Sequence, residues 1–255
     1  MPSIDFNSDM GESFGVYQMG ADLDVLRHVT SANIACGFHA GDPRTISRTV
    51  DVALKAGVAI GAHPGFNDLL GFGRRAMHLD ADEIYDITVY QIGAVKAFAE
   101  ARGGRLAHVK AHGALYNMAA RNRDMAAALC AAVRDVDRSL IFYGLSGSQL
   151  VEAAREADLR CAEEVFADRT YQDDGSLTPR GHPQAMITDV AIAVEQVMSM
   201  VERRQVKSVN GGWIDVAPDT LCIHGDQPGA AQFAAQISAA LRDGGVTIRA
   251  PQQSI

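Results

Sequence analysis

The chain has 255 residues, of which 47% are hydrophobic and 21% charged. That balance excludes a disordered or fibrous chain, and the length suits one large α/β domain. A formal net charge of −8, with no block of Lys/Arg, argues against nucleic acid or an anionic membrane as partner.

The first residues, MPSIDFNSDMGES, carry acids where a secretion signal needs a basic region and an apolar run. No stretch reaches the roughly 18 apolar residues of a membrane span, so the expected location is the cytoplasm. Strands are predicted at residues 3–7, 31–36, 58–62, 106–110, 140–144, 160–165 and 220–224. Helical patterns separate most of them, which predicts βα units and a parallel sheet. A βα barrel typically takes about 250 residues.

Asp42 is placed to cap a helix with Pro43 at its first position and Gly57 at its end; Ile46, Val50, Ala53 and Leu54 form its apolar stripe. Asp80 and Glu83 spell a capping box for a helix running to about Arg102. Ile84, Ile87, Val95 and Phe98 share a stripe there, but Val89 and Ile92 fall on other sectors. That helix is expected to be covered on more than one side, by its neighbours or by a partner subunit. A third helix is predicted after Pro183, with Met186, Val190, Ala193 and Val197 on its buried face. Asn210-Gly211 predicts a small hairpin within residues 206–216. No linker or repeat interrupts the chain, so residues 1–255 are expected to form a single domain.

Cys36, Cys130, Cys161 and Cys222 are scattered, with no CxxC pair, and are expected to be reduced thiols. Cys36 and Cys222 are read as small core residues.

Polar residues crowd the ends of the predicted strands. Asp5, Asn7 and Asp9 lead to Gly11-Glu12; Asn33 leads to His39; His63-Pro64 follows the third strand. His108, Lys110 and His112 mark the fourth, Glu163, Glu164, Asp168 and Arg169 the sixth, and Cys222, His224 and Asp226 the last. Strand side chains alternate, so Asp5, Asn7 and Asp9 share a face, as do His108, Lys110 and His112 if their strand extends that far. Parallel strands buried on both faces normally read as continuous apolar runs. Asp, Asn, His and Lys on a core face are costly unless they line a site, which in a barrel lies at the C-terminal mouth. Asp5, early in its strand, suits a structural role as well as a functional one. The glycine-rich loop 61–75 carries Arg74-Arg75, a pair suited to a carboxylate or phosphate. Neither GxxxxGK[ST] nor GxGxxG occurs.

Six stretches in order carry a family resemblance: DFNSDMGESFG at 5–15, SANIACGFHAGDP at 31–43, GAHPGFNDLLGFGRR at 61–75, HVKAHGALYN at 108–117, EVFADRTYQDDGSLTPR at 164–180 and DTLCIHGD at 219–226. In these the chain resembles the LamB/YcsF family, the A subunits of 5-oxoprolinases. The family's first motif usually has Cys where this chain has Ser8, and its fourth often reads Lys-Pro-His where this chain has Lys110-Ala111-His112. The resemblance implies a distorted seven-stranded (β/α) barrel like the glycoside-hydrolase and deacetylase group. It also implies work with partner subunits B and C to open 5-oxoproline to L-glutamate, with ATP as co-substrate.

On that reading Asp9 or Glu12 is the base, and Lys110, His39 and His63 stabilise developing negative charge. Arg74 or Arg169 holds a carboxylate or phosphoryl oxygen, with Asn7, Asn33, His112 and His224 completing the substrate site. Two other readings stand beside it. One is a metal-dependent amidase or deacetylase, with Asp9, His39, His63, His112 and His224 as the Asp/His set; no HExxH exists, so ligands would come from separate strands. The other is a protein that holds a ligand for its partners without catalysis.

Overall fold

The computed structural model describes residues 2–20, 22–225 and 229–251. In chain order its elements are β1 (Ser3–Met10), α1 (Asp22–Val25), β2 (Ser31–Ala35), α2 (Pro43–Ala56), β3 (Ala59–His63), α3 (Ala81–Ala101), β4 (Leu106–Lys110), α4 (Gly113–Ala119) and α5 (Arg123–Val136). There follow β5 (Ile141–Leu145), α6 (Gln149–Glu156), β6 (Arg160–Phe166), α7 (Val190–Arg203), β7 (Gln205–Lys207), β8 (Trp213–Asp215), β9 (Thr220–Ile223), α8 (Ala230–Asp243) and β10 (Thr247–Ile248). Strands β1 to β6 and β9 are parallel neighbours, and β9 pairs with both β6 and β1, which closes a seven-stranded barrel. The seven predicted strands are those of the barrel, each within a few residues of its predicted bounds. β7 and β8 form a separate antiparallel pair. No helix among the described residues is long and apolar enough to cross a membrane.

Alternation along each strand sorts apolar from polar. Phe6, Ile34, Ile60, Ala62, Val109, Phe142, Val165 and Leu221 are buried in the main apolar core. The opposite phase meets across the barrel axis in polar layers. At the bottom, Asp5 accepts hydrogen bonds from Thr30, Ser31, Tyr143 and Thr220. Asp5 is thereby structural: burial pushes its carboxyl pKa up, against the pull of these four hydroxyls. Above it, Asn7 donates to Glu164 and Thr220, and Asn33 donates to Asn7 while contacting His108. Gly61 is required at this level because a Cβ there would overlap the His108 imidazole. Asp9, His63, Lys110 and Cys222 form the top layer.

The helices follow local chemistry. Asp42 accepts from the Thr45 amide, Pro43 opens α2, and Gly57 closes it at φ 69°. The Asp80–Glu83 capping box is complete. Ile92 of α3 is fully buried against its neighbours, while Val89 is half-buried and Tyr90 exposed; α3 packs on α2 and α5, so its apolar surface is covered in part within the chain. The helix expected after Pro183 begins instead at Val190. Asp189 accepts from the amides of Ala191 and Ile192 and is the stronger cap, while Met186 bridges to Arg169 in extended backbone.

Candidate active site

The site is the polar top layer and the loops that follow it. Lys110 is 2% exposed. Its ammonium lies 3.1 Å from Asp9 Oδ1, 2.9 Å from Glu164 Oε1, 2.9 Å from Cys222 Sγ and 3.3 Å from Asn7 Oδ1. Burial works against its charge, but Asp9, Cys222 and Glu164 outweigh it and hold the pKa well above the usual lysine value. Asp9 mirrors this. Burial would raise its pKa, yet His63 and Lys110 hold it well below the usual carboxylate range. The centre is therefore a buried ion pair with both members charged.

Asp9, His63, Arg74, Lys110, His112, Arg169 and His224 all line one narrow cleft over this pair, together with Tyr116, Phe166 and Arg180. The cleft holds about 30 Å³ of free space, room for about one water. Two larger hollows, of about 510 and 480 Å³, are also present among the described residues. The first, between residues 10–24 and α2, gathers none of the barrel's inward polar residues; the second shares His224 with the cleft and adds its partner Asp168. The convergence of strand-derived charges, not volume, makes the cleft the candidate site.

The remaining expected residues lie close by but off the cleft. Asn7 and Asn33 sit one layer below, their amides donating to Glu164, Thr220, Asn7 and Asp9. Glu12 and His39 lie behind His112, whose ring stacks on His39 at 3.7 Å between centroids. β4 ends at Lys110, so His112 caps α4 rather than continuing the strand. His224 contacts Asp168 through Nδ1 at 2.8 Å. Despite burial, His224 beside it keeps Asp168 below the ordinary carboxylate value. Asp226 lies outside the described residues.

The arginines divide. Arg75 is tied to Asp68 within its own loop, leaving Arg74 at the cleft, its guanidinium over the Phe72 ring. Arg169 is buried and donates to the carbonyls of Ala185 and Thr178. Its pKa is pushed down to about 10, by burial first and then by the charge of Arg180. The glycines of loop 61–75 press on histidines: a Cβ on Gly65 would stand 2.8 Å from His39 Nδ1, and one on Gly73 2.9 Å from His112 Cδ2.

Sequence reasoning left four members out of the site. Glu164 and Tyr116 bond to each other at 2.7 Å and Glu164 to Lys110. The signal for Glu164 was its phase with Ala162 and Phe166 on β6; Glu163 points the other way, to Ser146 and Arg155. Arg180 sits in an irregular segment where no periodicity operates. Cys222 is the buried core residue expected, and its thiol also meets the Lys110 ammonium. Burial holds that thiol's pKa well above its usual value, which disfavours the thiolate. Ser8 points away from the polar interior, and its hydroxyl has no hydrogen-bond partner among the described residues.

The sequence matches the LamB/YcsF family model over residues 4–255. The chain belongs to the LamB/YcsF family. A relative from Tolumonas auensis, named as the A subunit of 5-oxoprolinase, is 56% identical over 98% of this chain and 100% of its own length. The crystal structure of a lactam utilization protein from Thermus thermophilus superposes with a TM-score of 0.92 at 45% identity, covering 98% of this chain and 100% of that one. A GH113 β-1,4-mannanase shares the fold alone, with a TM-score of 0.51 at 14% identity over 95% of this chain and 99% of that one.

Proposed function

We propose that this chain is the A subunit of an ATP-dependent 5-oxoprolinase, a cytoplasmic hydrolase that opens 5-oxoproline to L-glutamate with partner subunits B and C. The observation that carries the reading is 56% identity, over its full length, to a protein named as the A subunit of 5-oxoprolinase. The cleft chemistry agrees with it. A lactam needs an activated carbonyl. In this reading the γ-phosphoryl of ATP passes to the lactam oxygen and water adds to the carbonyl carbon. The C–N bond then breaks as nitrogen takes a proton, and phosphate leaves to a second water.

Of the two candidate bases, Asp9 is the one that lines the cleft. Lys110 offers a fixed positive charge to the developing oxyanion. His224, oriented by Asp168, is placed to hand a proton to the leaving nitrogen. Arg74, Arg169 and Arg180 supply the positive rim that a substrate carboxylate or phosphoryl group requires. Glutamate release from 5-oxoproline should be measured with the chain alone, the partners alone, and all three. Only the full set is expected to turn over, and Asp9→Asn should lower its rate by about 10²–10⁴-fold with the fold retained. Equal release by the partners alone would overturn the reading.

A further inference from the structure

Behind the cleft two imidazoles turn lone pairs toward each other. His63 Nδ1 lies 2.7 Å from the Lys110 carbonyl oxygen, and His112 Nε2 lies 2.9 Å from that of Phe72. A carbonyl only accepts, so both of these nitrogens carry protons and donate. In neutral rings the other nitrogens are then bare, and they face each other, His63 Nε2 to His112 Nδ1, at 3.0 Å. Two lone pairs at that separation repel unless a positive centre joins them.

A second proton on His63 would relieve that contact, and Asp9 lies 3.3 Å away to receive it. It would do nothing for His39. That ring is fully buried, and neither of its nitrogens has a hydrogen-bond partner among the described residues. A buried imidazole without partners is costly and calls for a missing ligand. His39 Nε2 lies 3.8 Å from Glu12 Oε1, which lies 3.9 Å from His112 Nδ1. One donor atom each from Glu12, His39, His63 and His112 falls within 4.8 Å of all the others. Ligands at about 2.0–2.1 Å from a tetrahedral ion stand roughly 3.3 Å apart, so small side-chain movements would close this set on an ion.

We propose that Glu12, His39, His63 and His112 bind one divalent first-row transition-metal ion through three imidazole nitrogens and one carboxylate. The four residues come from the ends of β1 to β4 or the loops just after them, and two already have the outer-sphere carbonyl bonds that orient metal-bound imidazoles. Imidazole with carboxylate and no thiolate suits zinc, iron, cobalt or nickel rather than calcium, magnesium or cuprous copper. His63 and His112 line the cleft, so the ion is reached from it.

The test is binding, which does not depend on the substrate assignment. The full chain, stripped with chelator, is titrated with Co²⁺ and followed by visible absorption, then challenged with Zn²⁺. One saturable equivalent of Co²⁺, displaced by Zn²⁺, is expected. His39→Ala and His112→Ala should weaken binding by more than roughly 100-fold, the upper end for loss of an outer-sphere partner. Exposed His78→Ala should bind as the parent does. Glu12→Gln, close in shape, covers the case in which an alanine variant fails to fold. Absence of a saturable equivalent in the parent chain, or unchanged affinity in folded His39→Ala or Glu12→Gln, overturns the proposal.

Discussion

Lys110 shows why a buried charge must be judged with its partners. Replacing it by Met removes the only ammonium at hydrogen-bond distance from Asp9 and Glu164 among the described residues. Two buried carboxylates lose their counter-charge, and the expected loss of stability is about 3–5 kcal/mol along with loss of turnover. The double variant Lys110→Met/Glu164→Gln should recover part of the urea midpoint without recovering activity; a double no more stable than the single would mean the pair is uncoupled. His108 tests a different balance. Burial first, then the charge of Lys110, push its pKa down to about 3, so the native ring stays neutral while the unfolded one takes a proton below about 6.5. Unfolded protein then binds the extra proton, so stability falls as pH drops from about 6.5 toward 3, by up to about 1.4 kcal/mol per unit. Unfolding free energies measured between pH 6.5 and 5 should fall more steeply in the parent than in His108→Gln, which keeps only the slopes of the other buried histidines, His39 and His112.

Among the elements, β3 and β4 depend on a single glycine. Gly61→Ala would drive a methyl into the His108 ring, forcing it off Asn33. The expected cost is at the upper end of overpacking, about 3 kcal/mol, with loss of activity because Lys110 lies two residues along the same strand. Asp80→Ala is the contrast. It removes one side of the α3 capping box, on an exposed helix end, and should cost about 1 kcal/mol in urea unfolding with turnover unchanged. Helix ends of this kind were legible because caps are local: Asp42-Pro43 and Asp80 mark their helices in sequence as they do in the fold. The start of α7 was not. Pro183 and Asp189 compete within a few residues, and the side-chain bonds of Asp189 decide between them.

For the molecule as a whole, the cleft has room for about one water, and Arg74 and Arg180 stand at its lining. Nucleotide use belongs to the same scale. The cationic groups at the cleft are separate side chains, with no GxxxxGK[ST] loop to cradle a triphosphate. The chain alone is therefore expected to bind ATP with a dissociation constant no tighter than about 1 mM and to hydrolyse almost none. Calorimetry with ATP and magnesium checks this. Micromolar binding that disappears in Arg74→Ala would place the nucleotide on this chain.

What the sequence determined by itself is what repeats or caps locally. The βα alternation yields seven parallel strands, and period-two placement of Asp5, Asn7 and Asp9 puts them on one face. The motifs carry the family. Tertiary structure decided which polar residue met which. Asp5, Asn7 and Asp9 look alike in a row, yet they serve a hydroxyl network, an amide layer and an ion pair, because each stands at a different height in the barrel. Glu164 reaches Lys110 only through barrel closure, and His39 is stranded behind His112 only because the 61–75 loop packs over both. Those pairings join residues from separate strands and loops, and only the closed barrel brings them within bonding distance.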